Sequence, residues 1–489
     1  MNQITKLDAS KTPFYPAFVA LLTPSDERVE LGARVTTFLF SLILFFILII
    51  LGEKYTAPIG VASGLLFLSV SPELIRLSFS ILTEPSYITT VYLGLAIFLW
   101  HCHQPSILKS MLLGVVFGSA FLNRVEGILF LVFIPVAHLG HYFINTENKY
   151  QFHTCLKYCA VFIFTYSLVI TPQIMSVSEK MNQFSLNGRQ VWSKLLSGDA
   201  SNRSYEEKIM GLDYSPREVN IQYLLKNPSE VASVNNGLSL TKYAKTILRN
   251  FNELYRYRLG ELLGPFCILF AGIGLYSLLN RKKYFETLLF LGFIITGLIA
   301  PLVHNVVIRH IAVIAPAIML LAGIGIGQLY NLLKPNNHQL NRVWFIPLIL
   351  VTTVFITMFP QTLRLKELIL DEDTINHEYR PSDYDQVIRI LKNDVSHQNL
   401  KLSETKISSR KHYISFYSGL ERVRIPYTEY NELVYYLKLN SVNYLFLDYR
   451  KLKLYPFLDS FNEDVSSDFT LLFDSVNWKN DNIRLYRIN

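Results

Sequence analysis

The stretch Val35–Leu51 reads VTTFLFSLILFFILIIL, without a charge, a proline or a glycine, and Glu53-Lys54 follows it. As a helix rising about 1.5 Å per residue it covers about 25 Å, close to the roughly 30 Å of hydrocarbon in a bilayer. Nine further apolar runs follow: Ile59–Ser71, Pro85–Trp100, Ser110–Leu122, Gly127–Phe143, Cys155–Met175, Leu262–Leu279, Phe285–Val303, His310–Tyr330 and Val343–Phe359. Ile59–Ser71 and Ser110–Leu122 are short for a span and fit thin or re-entrant segments. Over 489 residues the chain is 51% hydrophobic and only 17% charged, against about 25% charged in soluble proteins. These numbers exclude one soluble core and exclude disorder. They predict an α-helical polytopic membrane protein of about ten transmembrane helices.

Two long segments lie outside the apolar runs. Residues 176–260 are polar, and residues 361–489 carry 19 acidic and 18 basic residues, a soluble balance. In the latter, Tyr413–Tyr417, Arg422–Pro426, Asn443–Asp448 and Ile483–Ile488 read as strands, and Ser382–Lys392 and Glu429–Leu439 as helices. The alternation predicts a small C-terminal α/β domain. The expected organisation is an external segment (1–33), a first transmembrane bundle (34–175), a loop region (176–260), a second bundle (261–360) and the α/β domain (361–489). Phe14–Leu22 is too short to span and reads as a helix lying at the interface.

Basic residues set the orientation. One set of short loops holds Lys54, Lys109, Lys149, Lys157, Arg281, Lys282, Lys283, Lys334 and Arg342; the opposite set holds Arg76, Arg124 and Arg309. The first set is expected in the cytoplasm, which puts 176–260 and the C-terminal domain outside it, with the chain in the cell inner membrane. The net charge of +8 follows from the same bias. No basic stripe interleaved with aromatics points to nucleic acid. The cysteines, Cys102, Cys155, Cys159 and Cys267, lie in or beside apolar runs, so no disulfide framework is expected. His101-Cys102-His103 resembles a ligand cluster but has no distant partner legible in sequence, so no metal ligand is assigned.

The three lone arginines run against the positive-inside bias. A guanidinium offers two parallel donors to phosphate, so a lipid-linked phosphate is one reading; snorkelling to headgroups, or pairing with Glu73, Glu84 or Glu126, is the other. Glu84, in Leu82-Thr83-Glu84-Pro85, sits where a span begins. It suits a general base, a metal ligand or a group orienting a hydroxyl, and equally a helix start with Pro85 in the first turn. Asn123-Arg124-Val125-Glu126-Gly127 is a tight polar turn in which Arg124 and Glu126 can pair. His304 beside Arg309-His310, and Lys11 in Lys11-Thr12-Pro13-Phe14-Tyr15-Pro16, complete the candidates. No nucleotide-binding loop, dinucleotide fingerprint or nucleophile elbow is present. Gly323-Ile324-Gly325-Ile326-Gly327 lies inside an apolar run and reads as close helix packing.

These segments, in this order, resemble the GT-C class of membrane glycosyltransferases, which includes the protein O-mannosyltransferases and the lipid A aminoarabinose transferase. Lys11–Pro16 is similar to the family's Lys-Pro-Pro-Leu-Tyr stretch, Thr83-Glu84-Pro85 to its Thr-Asp/Glu-Pro, and Asn123–Gly127 to its Thr-Arg-Pro-Glu-Gly. Arg309-His310 with Ala315-Pro316-Ala317 is similar to its Arg-Tyr…Leu-Pro-Ala. The resemblance implies inverting transfer of a sugar from a polyprenyl phosphate to an extracytoplasmic glycan, lipid or protein acceptor. It implies donor-phosphate contacts at Lys11, Arg124, Arg309 and Arg76, an acidic site at Glu84, with His304 and Glu126 as further candidates. It leaves room for a divalent metal. The family's catalytic aspartate follows a first transmembrane helix, upstream of the Lys-Pro-Pro stretch. This chain starts too late to contain either, and Ser10 stands where aminoarabinose transferases have a metal-binding Glu. The departures keep two other readings open: a non-catalytic scaffold of the same fold, and a transporter or flippase of lipid-linked glycans.

Overall fold

A computed structural model describes residues 12–23, 28–144, 151–181, 184–186, 204–227, 240–303, 306–333, 352, 382–410, 412–452, 455–461, 468–476 and 482–489. The chain divides into two compact units: residues 1–178 with 238–366, and residues 179–237 with 367–489.

The first unit is a helical bundle. Every apolar run inside the described residues is helical; Val343–Phe359 lies outside them, except for residue 352. Among the described residues, five helices are long and apolar enough to cross a membrane: Val29–Glu53, Val125–Ile144, Phe152–Glu179, Tyr284–Val303 and Ile308–Leu332. Two bent pairs raise the number to seven. Pro58–Val70 meets Pro72–Phe79 at 67°, where Pro72 cannot continue the preceding helix. Ala244–Leu263 meets Pro265–Asn280 at 95°, through Gly264 at φ 72°, a conformation that glycine adopts without steric cost.

The helix Glu84–His103 falls outside that group because it is built to face protein. Tyr87, Thr89, Thr90 and Tyr92 are all buried, and partners satisfy the hydroxyls of the last three. Thr89 donates to Phe40 O at 2.7 Å and Thr90 to Ser86 O at 2.6 Å. Tyr92 donates to Val313 O at 2.9 Å and accepts from Ala317 N at 2.7 Å.

Small residues bring the helices together, as membrane interfaces require. A Cβ on Gly323 would lie 2.3 Å from Gly60 O, and one on Gly325 2.1 Å from Phe270 O. The glycine run therefore lets Ala315–Leu333 touch Pro58–Val70 and Pro265–Asn280 backbone to backbone. At one end of the bundle, Lys54 and Lys283 lie over the Tyr55 ring at 5.5 and 5.9 Å. Arg281 donates there to Tyr55 O at 3.2 Å, so basic residues far apart in sequence share that end. Phe14–Leu22 is a helix, as expected. It packs on Val29–Glu53 through Tyr15, whose hydroxyl donates to Ala33 O at 3.1 Å.

The second unit carries a five-stranded sheet in the order β2-β1-β3-β5-β4. The strands are β1 (Lys406–Ser408), β2 (Glu421–Val423), β3 (Tyr444–Asp448), β4 (Phe469–Val476) and β5 (Asn482–Ile488). β1 pairs in parallel with β2 and β3, and β5 runs antiparallel between β3 and β4. β3 is buried along its whole length, the pattern of a central strand covered on both faces. Val387, Leu391 and Val395 of the helix Ser382–His397 pack with Ile407, Tyr444, Phe446 and Leu485. Tyr413–Tyr417, expected as a strand, is instead the start of the helix Tyr413–Ser418. Its buried residues, Ile414, Ser415 and Ser418, follow helical spacing, and Gly419 at φ 78° ends it.

Part of 179–237 belongs to this unit. The helix Tyr205–Met210 starts with a capping box between Ser204 and Glu207. Glu206 pairs with Arg410 and accepts from the Tyr455 hydroxyl at 3.0 Å. Tyr427 N donates to Met210 O at 2.8 Å.

Candidate functional site

The site is built at the end of the bundle where Glu84–His103 begins and Ile107–Asn123 ends. Glu84 is the first residue of its helix, with Pro85 in the first turn. An acid there is favoured by the helix dipole, and the side chain is 4% exposed. Arg124 follows Ile107–Asn123 in extended conformation, before the short 3-10 helix Val125–Leu129. The chain doubles back so tightly that a Cβ on Gly127 would lie 2.5 Å from Phe121 N, which explains a glycine at this point of the turn.

Arg124 Nη1 donates to Glu84 Oε1 at 2.7 Å and its Nη2 to Glu126 Oε1 at 2.8 Å. One buried guanidinium thus ties two helices and the turn between spans. Tyr87 lies beneath it, 5.8 Å from ring centroid to guanidinium carbon. Asn123 is clamped as well: its Oδ1 accepts from Ser86 at 2.7 Å and its Nδ2 donates to Ser119 O at 3.2 Å. Thr12, which directly follows Lys11, donates to Asn123 O at 2.5 Å, so the N-terminal segment reaches this same turn.

Arg309 arrives from a third segment, on the short helix Ile308–Ile311. Its Nε stands 3.8 Å from Glu84 Oε1, with the side chain 45% exposed. That separation is an ion pair without a hydrogen bond. The Tyr92 hydroxyl at Ala317 N holds the start of the following helix and so helps to fix where Arg309 emerges. Arg76 is gripped by Glu73 on its own helix at 2.6 and 3.0 Å. That helix, Pro72–Phe79, packs against both Ile308–Ile311 and Glu84–His103.

The structure therefore gathers Glu84, Arg124, Glu126 and Arg309 into one cluster and places the helix of Arg76 beside it. Lys11 and His304 lie outside the described residues. Sequence reading missed Thr12, Ser86 and Tyr87 as members. The first two are ordinary polar residues next to motif residues, and only their partners reveal them.

The donor set does not fit a divalent cation. Both carboxylates are committed to Arg124, and Arg309 adds a second positive charge. The cluster instead suits an anion: Arg309 has donors to spare and a route to solvent, while Arg124 and Glu84 hold the ground behind it.

No family model and no curated protein matches the chain by sequence. Solved structures match its fold. The AglB oligosaccharyltransferase of Archaeoglobus fulgidus, in complex with an inhibitory peptide and a dolichol-phosphate, is 12% identical with a TM-score of 0.57, over 97% of this chain and 66% of that one. An oligosaccharyltransferase of the same organism, in complex with Zn and sulfate, gives 11%, 0.55, 91% and 61%. ArnT from Cupriavidus metallidurans in the apo state gives 12%, 0.52, 98% and 87%. This chain thus spans less than two thirds of the archaeal enzymes and most of ArnT. At such identities the likeness concerns the fold alone: this chain shares the fold of AglB and ArnT.

Proposed function

We propose that this chain is a membrane glycosyltransferase that takes a sugar from a polyprenyl-phosphate donor and passes it to an acceptor outside the cytoplasm. The observation that carries the reading is the convergence of Glu84, Arg124 and Arg309, from three separate segments, at one end of a membrane bundle. One of the neighbouring structures holds a dolichol-phosphate and another an undecaprenyl phosphate, ligands with the chemistry such a cluster would recognise.

In this reading Arg309 contacts the donor phosphate, joined by Lys11. The acceptor hydroxyl oxygen bonds to the anomeric carbon while the bond from that carbon to the phosphate oxygen breaks, and the hydroxyl proton passes to solvent. The polyprenyl phosphate leaves with the electron pair. Its growing charge is what a preorganised guanidinium stabilises best, because the donor is already oriented and partly dehydrated. Arg124 is the positioning residue, since it is 9% exposed and bridges Glu84 and Glu126. Glu84 holds Arg124 and sets the field around Arg309. Its Oε1 is already engaged by Arg124 at 2.7 Å. Glu84 acts as a base only if substrate draws the arginines away. Arg76, held by Glu73, stands at the edge of the cluster as a further phosphate contact.

The test is sugar release from radiolabelled polyprenyl-phosphate sugars by the purified full chain in lipid vesicles. The expected result is release with at least one sugar of a panel, lost in Arg309→Ala. Release unaffected by Arg309→Ala would refute the phosphate contact. No release with any donor would favour a non-catalytic protein of the same fold.

A further inference from the structure

We infer that His101, His138, Cys155 and Cys159 form a zinc-binding site at the end of the bundle opposite Glu84. The ligand atoms of His138, Cys155 and Cys159 all lie within 4.8 Å of one another, and all three residues are buried. They come from two helices. His138 lies in Phe130–Ile144, and the cysteines stand one turn apart near the start of Phe152–Met181. Cys155 Sγ already points at the His138 backbone, with its sulfur 3.9 Å from His138 O.

The fourth ligand is on a third helix. The His101 ring is 5.0 Å from the His138 ring, and His101, His138 and Cys159 line one cavity with Tyr158. His101 is 1% exposed, and its Nδ1 has no hydrogen-bond partner among the described residues. A buried polar atom left that way is costly, and a metal would satisfy it. This supplies the distant partners that His101-Cys102-His103 lacks in sequence.

Two sulfurs and two imidazole nitrogens around one point are the donor set of tetrahedral zinc. With Zn–S about 2.3 Å and Zn–N about 2.0 Å, the donor atoms of a tetrahedron stand about 3.3 to 3.8 Å apart. For His138, Cys155 and Cys159, closing from within 4.8 Å takes side-chain shifts of about 1 to 1.5 Å, and His101 turns in from outside that group. Binding releases the two thiol protons to solvent. The site is not part of the sugar chemistry. His101 is 17 residues along the helix from Glu84, about 26 Å at 1.5 Å per residue. Its effect is to pin three helices together at the face remote from the arginines.

The experiment is metal analysis of the purified full chain, with any histidine tag removed, after zinc loading and desalting. One zinc per chain is expected. The double variant Cys155→Ser/Cys159→Ser should lose it, and Cys267→Ser, whose buried thiol is outside the cluster, should keep it. No zinc in the wild type, or full zinc in the double variant, overturns the site. If the double variant does not fold, X-ray absorption at the zinc edge of the wild type decides. Two sulfurs at about 2.3 Å with two nitrogens at about 2.0 Å support the site, and a shell of nitrogen and oxygen alone overturns it.

Discussion

Arg124 and Arg309 touch the same carboxylate oxygen and should fail in opposite ways. Arg124 is 9% exposed and bonded at 2.7 and 2.8 Å to Glu84 and Glu126. Arg124→Ala leaves Glu84, 6% exposed at its side chain, as a buried charge with a loose partner. Breaking a buried pair from one side costs about 3–5 kcal/mol, enough to lower the unfolding temperature and the yield of folded protein. Arg309 is 45% exposed and 3.8 Å from Glu84, so its contribution to stability is about 0–1 kcal/mol. Its proposed work is done on the leaving phosphate, where loss of one preorganised donor costs about 10²–10³ in rate. Arg309→Ala should therefore unfold near the wild-type temperature and transfer sugar a hundredfold more slowly or worse, with Arg309→Lys recovering part of the rate. The assays are thermal unfolding in detergent and initial rates of sugar release from a polyprenyl-phosphate donor. The reasoning is refuted if Arg124→Ala unfolds with the wild type, or if Arg309→Ala keeps the wild-type rate.

The other expectations concern how the site is held. Gly325→Ala puts a methyl 2.1 Å from Phe270 O, whereas a Cβ on Gly272 meets nothing within 4 Å. The first should cost about 1–3 kcal/mol or more by overpacking and the second almost nothing, read as unfolding temperatures side by side. Asn123→Ala removes the acceptor of Ser86 and the bond to Ser119. It should destabilise by about 1–3 kcal/mol and slow transfer by loosening the Arg124 turn. Glu206→Ala removes the partner of Arg410 and Tyr455. Hydrogen exchange should then rise at Tyr427 N, which bonds Met210 O, while the amides of β3 stay protected.

The apolar runs were legible because a bilayer-length helix leaves an unmistakable mark, almost free of charge for its whole length. The strand β3 was legible as an apolar stretch, and β5 by its β-branched and aromatic residues Ile483, Tyr486 and Ile488. β1 was not, because three residues leave no periodicity to read, and β4 was missed beside it. Tyr413–Tyr417 was misread because five residues rich in aromatic and β-branched side chains satisfy strand and helix alike. In the site, Glu84, Arg124 and Arg309 stood out in sequence as charges at the ends of spans, where each costs energy unless it has a partner. Even the Arg124–Glu126 pair was visible as a local possibility.

What the sequence could not state is which charge answers which. Arg124 bonds a carboxylate 40 residues away, and Arg309 approaches the same carboxylate from 225 residues away. His101 meets His138 and lies near Cys159 only once three helices are packed. A charge or a thiol announces itself by its cost in an apolar setting, which is a property of the chain. Its partner is a property of space, decided by where glycines let the helices close.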